Sequence, residues 1–393
     1  MPSKRETADS ASARGETEQL AQALERDAPL RETVVTRHAN WVQTLAFSPT
    51  GRSLLTGSND GSVRVSEPES GVTKLEIRGD VGGQVYATAV TPAADAVAIA
   101  SGDGKIYVYD TDTVTEANGQ MRLSARLRRV LNSHGGNAVL SLAIGRDAKT
   151  LYSGSVGRDI LIHDMVSGKE LGRLVGHEGY VYTLAVSPDG ALLASGSGDE
   201  TVRVWNLADG TCLHALTEHI GWVWGVDFHP RDGTLASGSN DRTVCIWNAK
   251  TGEMLHKVEV HEHVYSLQFA PTTGRFLLCG TSGKRPIRVY DTEKGYAEHV
   301  RASTQQAGRV FAVAFAKAET AFAAGSEDGT VVLYTPAGRG EAAAAAAAMP
   351  ATGVATAPTT EAGTEAAAAK ETKHRGGGFC GGLCACFGSS SNT

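Results

Sequence analysis

The segment Val181–Pro188 (VYTLAVSP) carries the pattern that decides the fold, and six other segments repeat it. Each begins with valine. The second residue varies, the third is small, the fourth is apolar except for Thr88, the fifth can be of any type and the sixth is apolar. The opening valines are 43, 54, 42, 42, 41 and 46 residues apart, which indicates an array of seven repeats. The other six segments are Val42–Pro49, Val85–Pro92, Val139–Arg146, Val223–Pro230, Val264–Pro271 and Val310–Lys317.

The residues that follow each opening segment indicate further strands. In the fourth repeat, Leu192–Ser197 (LLASGS) follows a turn, and Thr201–Trp205 (TVRVW) follows a second, tight turn. Alternation with a period of two between Gly, Asp and Pro turns is typical of short β-strands. Three to four such strands in about 40–45 residues match one propeller blade. One blade cannot bury both of its faces, so blades stack radially around a channel.

Two of the repeats resemble the WD-repeat family most closely. In both, a histidine precedes an aspartate by 22 residues, and that aspartate precedes a tryptophan by 6. The resemblance covers roughly residues 30–336 and implies an all-β, seven-bladed propeller. In that family a histidine, a serine or threonine, an aspartate and a tryptophan form a buried hydrogen-bonded tetrad. The resemblance implies two such structural tetrads here: His177, Ser195, Asp199 and Trp205, and His219, Ser237, Asp241 and Trp247.

The other repeats depart from the family pattern. The turn aspartate is replaced by Gly157 in the third repeat and by Lys284 in the sixth, so we expect these two blades to rely on packing alone. His261 is interpreted as the tetrad histidine of the sixth repeat. Histidines that recur with the repeat are better explained by structural hydrogen bonds than by catalysis. The closing tryptophan is replaced by Ser66, Tyr109, His163, Tyr290 and Tyr334.

Changes in composition predict the domain boundaries. Residues 1–29 are predicted to be a polar N-terminal tail with a short helix at Thr17–Ala28, and residues 30–336 the propeller. An Ala/Gly/Thr-rich linker at 337–378 and a Cys-rich tail at 379–393 follow, and both terminal regions are expected to be disordered. The last repeat lacks an outer strand, whereas Leu30–Thr36 has strand character. This N-terminal strand is therefore predicted to complete the last blade and close the ring.

Two groups of residues within the propeller remain open to interpretation. Arg122, Arg126, Arg128 and Arg129 lie in the long segment between the second and third repeats. An outer strand with solvated arginines is the favoured interpretation, and a small docking handle is the alternative. Cysteines within the repeats are expected to be buried, reduced thiols. They are Cys212, Cys245 and Cys279.

The residues that flank the opening valines are unusually aromatic. Eight of these fourteen residues are Phe, Tyr or Trp, whereas about one is expected from the 6% aromatic content of the chain. Packing against the core between blades would explain some of them. The family resemblance implies instead that they open onto the narrow face around the central channel, where partners dock, and aromatic residues on both flanks favour binding. The candidate partner-binding residues are Trp41, Tyr86, Tyr180, Tyr182, Trp222, Trp224, His263, Tyr265, Arg309, Phe311, Asn59, Asn240 and Glu327.

The sequence motifs do not favour an enzyme. Gly283-Lys284 lacks the spacing of a phosphate-binding loop, and Gly196-Ser197-Gly198 lies between strands rather than before a helix. His261 and His263 supply too few ligands for a zinc site. We therefore predict no catalytic residues, no metal and no cofactor. The excess of 43 Asp and Glu over 37 Lys and Arg also argues against direct nucleic-acid binding.

The end of the chain offers a second candidate site. Cys380, Cys384 and Cys386 follow the basic residues Lys373 and Arg375, a combination that suits S-acylation and peripheral membrane association. Lipidation and an unmodified tail stay open as equal alternatives, with weak metal binding below both. Since the N-terminus lacks an apolar signal-peptide core, we expect a cytoplasmic location, with a nuclear one as the alternative.

These features together predict a non-catalytic scaffold or adaptor. It would bind protein or peptide partners within a multi-subunit complex. A ubiquitin-ligase substrate receptor and a G-protein-β-like signalling adaptor are the alternatives. A propeller enzyme is a distant third.

Overall fold

The structure is a computed structural model that describes residues 18–26, 30–115, 121–284, 286–302, 306 and 308–337. The linker beyond residue 337 and the tail cysteines Cys380, Cys384 and Cys386 lie outside these residues.

Seven four-stranded antiparallel sheets form the blades of a propeller, as predicted. The strand β1 (Leu30–Arg37) precedes the first blade. Blade 1 contains β2 (Val42–Phe47), β3 (Leu54–Ser58), β4 (Val63–Ser66) and β5 (Thr73–Ile77). Blade 2 contains β6 (Val85–Val90), β7 (Ala96–Ser101), β8 (Ile106–Thr115) and β9 (Met121–Leu131). Blade 3 contains β10 (Val139–Ile144), β11 (Thr150–Ser155), β12 (Ile160–Asp164) and β13 (Glu170–Leu174).

The remaining blades repeat this plan, and in every blade the first strand named is the innermost. Blade 4 contains β14 (Val181–Val186), β15 (Leu192–Ser197), β16 (Val202–Asn206) and β17 (Cys212–Leu216). Blade 5 contains β18 (Val223–Phe228), β19 (Thr234–Ser239), β20 (Thr243–Asn248) and β21 (Met254–Glu259). Blade 6 contains β22 (Val264–Phe269), β23 (Phe276–Thr281), β24 (Ile287–Asp291) and β25 (Ala297–Ala302), with a 3-10 turn at Thr292–Lys294. Blade 7 contains β26 (Val310–Phe315), β27 (Phe322–Ser326) and β28 (Thr330–Pro336).

The N-terminal strand completes blade 7, which confirms the predicted closure. β1 pairs antiparallel with β28 over its whole length, from Leu30 opposite Pro336 to Arg37 opposite Thr330. One irregularity falls between Val34 and Thr36. Without this strand, β28 would present an unpaired edge to solvent.

A glycine in the second strand of six blades lets neighbouring blades approach closely. A Cβ atom on Gly196 would lie 2.6 Å from Cγ1 of Val223, the opening valine of the next blade. The same contact closes the ring, because a Cβ atom on Gly325 would lie 2.5 Å from Cγ1 of Val42. All seven opening valines are fully buried. The repeated valines and glycines are therefore complementary parts of the contacts between blades.

A short helix, α1 (18–25), lies within the predicted range Thr17–Ala28. Leu20 and Leu24 are 1% and 0% exposed, and they pack into the core cluster of blades 6 and 7. The Glu25 carboxylate also pairs with the Arg275 guanidinium. The predicted short helix is therefore present and packs on the propeller, and this tertiary packing stabilises a helix that is too short to persist alone. No helix in the described part of the chain is long and apolar enough to span a membrane.

The arginines of the long inter-repeat segment lie on β9, the outermost strand of blade 2. Arg126 and Arg128 both pair with Asp110 on β8, and these contacts hold the pKa of that carboxyl below its usual range. Arg129 donates a hydrogen bond to the carbonyl oxygen of Val166 in blade 3, at 3.2 Å. The outer strand is confirmed, and Arg126, Arg128 and Arg129 contact neighbouring residues as well as solvent.

The cysteines differ in their exposure. Cys245 and Cys279 are buried, as expected, and burial raises the pKa of the Cys279 thiol. Cys212 is exposed, so the prediction of a buried thiol is wrong at this position. The reason is that Cys212 lies on β17, an outermost strand of which only Leu216 is buried.

Candidate functional site

The residues before the opening valines lie on one face of the propeller, which we call the upper face. It is the face on which the innermost strands begin and the turns between second and third strands lie. In each blade, the carbonyl oxygen of the residue before the valine accepts a hydrogen bond from the backbone N–H of a turn residue. Asn59, Asn240 and Glu327 make this bond to Trp41, Trp222 and Arg309, at 2.9, 3.1 and 2.8 Å. The bond places the three predicted polar residues directly beside the flanking positions.

Seven of the eight flanking aromatic residues form one continuous series of ring contacts, which we call the aromatic arc. It runs through blades 4, 5, 6, 7 and 1 in the order Tyr180, Tyr182, Trp222, Trp224, Tyr265, Phe311 and Trp41. Successive ring centroids are 4.9 to 6.2 Å apart. The closest pair is Tyr182 and Trp224, which stack at 4.2 Å.

The arc borders the central channel. The second, third and fourth residues of all seven innermost strands line a cavity of about 200 Å³. Its lining contains no charged side chain among the described residues, and Tyr86 faces it from blade 2 together with Gln43 and Leu140. Trp224 is half-buried, and its indole nitrogen is a buried donor without a partner in the described part of the chain. The lining is thus uncharged and combines aromatic rings with small polar side chains, and Ser266 Oγ is a second buried polar atom without a partner in the described part of the chain.

The polar candidates are held by local contacts. Arg309 pairs with Glu327 at 3.7 Å, and the Nδ1 atom of His263 lies 2.5 Å from the carbonyl oxygen of Asn240. His261 is exposed and has a left-handed φ of 64°, while Val260 is fully buried four residues before the opening valine. Val260 therefore takes the position that the sequence analysis gave to His261.

Two side-chain networks join the strands of blades 4 and 5. In blade 4, His177 lies 2.8 Å from Asp199 and 2.7 Å from Ser195, whose hydroxyl accepts the Trp205 indole N–H at 2.9 Å. In blade 5, His219 lies 2.8 Å from both Asp241 and Ser237. The Ser237 hydroxyl accepts the Trp247 indole N–H, also at 2.8 Å. Burial lowers the pKa of His219, but the hydrogen bonds and charges of Asp241 and Cys245 together outweigh it and raise the value to about 9.

The divergent blades keep parts of this network. In blade 3, His134 contacts Ser153 at 2.8 Å, so this blade does not rely on packing alone. In blade 7, Gln306 takes the histidine position and accepts a hydrogen bond from the Tyr334 hydroxyl at 3.2 Å. Sequence reasoning missed Gln306, although its place four residues before Val310 was a usable signal.

Two polar residues in the innermost strands were also missed. Asp227 and Gln268 occupy the fifth place of these strands, where the other five blades have alanine. The Asp227 carboxylate accepts the Phe269 N–H at 2.8 Å, and the Gln268 side-chain oxygen accepts the Phe315 N–H at 2.6 Å. Each bond joins one blade to the next. Burial raises the pKa of Asp227 to about 7.

Comparison with known families agrees with this geometry. A family model described as WD domain, G-beta repeat matches residues 31–65, 168–206, 210–248 and 298–335. Each match begins in the outermost strand of one blade or in the turn just before it, and ends in the third strand of the next blade. A search of curated proteins found no match. WD-repeat propellers generally mediate protein interactions and are typically non-enzymatic scaffolds. The four repeat matches and the seven closed blades show that this chain belongs to the WD-repeat β-propeller family.

Proposed function

We propose that this protein is a non-catalytic scaffold or adaptor whose aromatic arc binds a partner protein or peptide in a multi-subunit complex. The observation that carries the proposal is the unbroken contact of seven rings from five blades around the channel. Ring contacts across blades hold these side chains in place before a partner arrives, which reduces the entropy lost on binding. Tyrosine and tryptophan are also the side chains most enriched at interface hot spots.

Affinity purification with mass spectrometry tests this proposal. The variant Tyr182→Ala/Trp224→Ala is compared with the wild type and with Val166→Ala/Leu171→Ala, a control at two exposed residues of blade 3. We expect the arc variant to lose a defined set of proteins that the control retains. Equal recovery from all three proteins, with unchanged thermal unfolding, would refute the assignment.

The more specialised adaptor functions have less support. Family substrate receptors typically carry Trp-Asp-x-Arg, whereas this chain has Trp205-Asn206-Leu207-Ala208 and Trp247-Asn248-Ala249-Lys250. A G-protein-β-like role would call for an N-terminal coiled coil, whereas α1 packs onto the propeller itself.

We also propose a cytoplasmic location with peripheral membrane association through the tail cysteines. The support is the sequence alone, in which three cysteines follow a basic segment. An acyl-exchange assay on the full chain and on Cys380→Ser/Cys384→Ser/Cys386→Ser tests it. If the wild-type protein gives no acyl-exchange signal, the proposal is refuted.

A further inference from the structure

A second cavity opens on the upper face above blade 5, next to the aromatic arc. It has a volume of about 580 Å³, and Trp222 belongs both to its wall and to the arc. Ile220, also in the wall, is 81% exposed, an unusual environment for a large apolar side chain. The wall further contains the carboxylates of Glu200 and Glu259, which come from the two sides of Trp222 along the chain. We call this space the blade-5 cavity.

The upper face of blades 4 to 6 is strongly acidic. Its described turns and loops, with the end of β21, carry seven carboxylates and three cations: Arg242, Lys284 and Lys257, whose ammonium lies 3.3 Å from the carbonyl oxygen of Glu218. The protonated His219 adds one further positive charge, so an excess of negative charge remains. The seven carboxylates are Glu178, Asp199, Glu200, Glu218, Asp241, Glu259 and Glu262.

Most of these carboxylates are available to a ligand. Glu178, Glu200, Glu218 and Glu259 are exposed, and none of the four has an ion-pair partner among the described residues. Asp199 and Asp241 instead point inward to the histidines of their tetrads. Two of these free carboxylates, Glu200 and Glu259, line the blade-5 cavity, where they outnumber the one guanidinium of its wall, Arg242.

We infer that the segment that docks on the arc is basic, and that it places a lysine or arginine side chain in the blade-5 cavity. This inference rests on the proposed function, since it names the chemistry of the partner at that same face. The cation stacks on Trp222, the aromatic side chain that attracts cations most strongly, and Glu200 and Glu259 lie in the same wall to neutralise it. Ile220 supports the aliphatic stem of the side chain.

The channel side of the arc sets a second requirement for the bound segment. No charged residue of the described chain lines the cavity at the upper part of the channel, so a cation is not neutralised there and the charged side chain belongs in the blade-5 cavity. The indole N–H of Trp224 is buried and has no acceptor in the described part of the chain, so a backbone carbonyl of an extended peptide satisfies it once the indole ring turns to expose the nitrogen. The expected ligand is therefore a basic peptide whose uncharged backbone crosses the channel.

Selection from a random peptide library on the immobilised full-length protein tests the inference. The wild type is compared with Glu200→Lys/Glu259→Lys and with the control Glu69→Lys/Glu253→Lys, which has the same charge change at exposed residues of the opposite face. We expect Lys- and Arg-rich peptides that bind the wild type and the control, bind the first variant at least tenfold more weakly, and weaken with added salt. Thermal unfolding of all three proteins verifies that the fold is intact.

The other outcomes separate this inference from the proposed function. Peptides that are neutral or acidic, or that bind equally to both charge variants, would overturn the inference. If those peptides still depend on Tyr182 and Trp224, the proposed function stands. A selection that yields no peptide dependent on either pair would overturn both. Tighter binding by a chain that ends at Pro336 would show that the occupant is the basic segment of this chain around Lys373 and Arg375, not a partner.

Discussion

The Nδ1 atom of His219 lies 2.8 Å from the Asp241 carboxylate, closer than the equivalent pair in blade 1. There, Nδ1 of His38 is 3.5 Å from Asp60 and 3.0 Å from the Ser62 hydroxyl. Together with Cys245 beside His219 and Arg64 near His38, this difference reverses the electrostatic behaviour of two histidines in the same repeat position. The pKa of His219 is raised to about 9, whereas burial lowers the pKa of His38 to about 4.

We predict opposite effects of pH on the contributions of these histidines to stability. The contribution of His219 is fully present below the ordinary histidine pKa of 6.5 and is lost as the pH rises towards 9, because only the folded state retains the proton. The contribution of His38 is lost as the pH falls from 6.5 towards 4, because only the unfolded state then binds a proton. Urea unfolding of the wild type, His219→Gln and His38→Gln across this range measures both effects. If the free energy of unfolding of each variant changes with pH in the same way as that of the wild type, the prediction is contradicted.

The Asp227 carboxylate should destabilise the fold at neutral and alkaline pH. Its pKa is raised to about 7 from 3.8, so the folded state takes up a proton between these values and the free energy of unfolding falls as the pH rises through them. Asp227→Asn keeps an oxygen for the Phe269 N–H and removes the charge. We therefore expect it to increase stability above pH 7 and to flatten the pH dependence.

The neighbouring pair of blades supplies a matched control for Asp227. Gln268 makes the equivalent bond to Phe315 without a charge. Gln268→Glu is expected to introduce a similar fall in stability with rising pH. Calorimetry of both variants between pH 4 and 9 measures the effect, and a pH response that does not depend on either residue would count against this account.

Replacing each of two tryptophans of blade 5 with alanine should affect stability and partner binding differently. Trp247 is 2% exposed and donates to Ser237, so Trp247→Ala should cost roughly 3–5 kcal/mol of stability. Trp222 is half-buried on the upper face, and Trp222→Ala should lower partner binding at least tenfold with a small change in the unfolding temperature. Binding and calorimetry on both variants test this. Global unfolding of Trp222→Ala would identify it as a core residue instead.

The helix α1 should contribute to the stability of the whole propeller. Leu20 and Leu24 pack against Phe276 and Phe315, so Leu20→Ala and Leu24→Ala should each cost about 2–5 kcal/mol. Gln19→Ala, at an exposed position of the same helix, should change stability by less than about 0.5 kcal/mol. Urea unfolding measures the stability of the three variants. If all three have the same free energy of unfolding, the helix does not stabilise the fold.

Strand positions, the number of blades and the closing role of Leu30–Thr36 could be predicted from the amino-acid sequence. These follow from local rules, because alternation with a period of two and turn residues act over a few neighbouring positions. Ring closure could be predicted by counting the strands in each repeat, since the last repeat lacks its outer strand. The aromatic composition of the flanking positions was also readable, because it repeats with the valines.

Tertiary structure alone decided which side chains meet. The contact between Trp41 and Phe311 joins residues that are far apart in sequence, and it exists only because the ring closes. The docking of α1, the bond from Phe269 to Asp227 and the position of Val260 in place of His261 depend likewise on the packing of neighbouring blades. Local sequence sets the face of the sheet towards which each side chain of a strand points. The residue that it contacts in another blade is set by the radial packing of all seven blades.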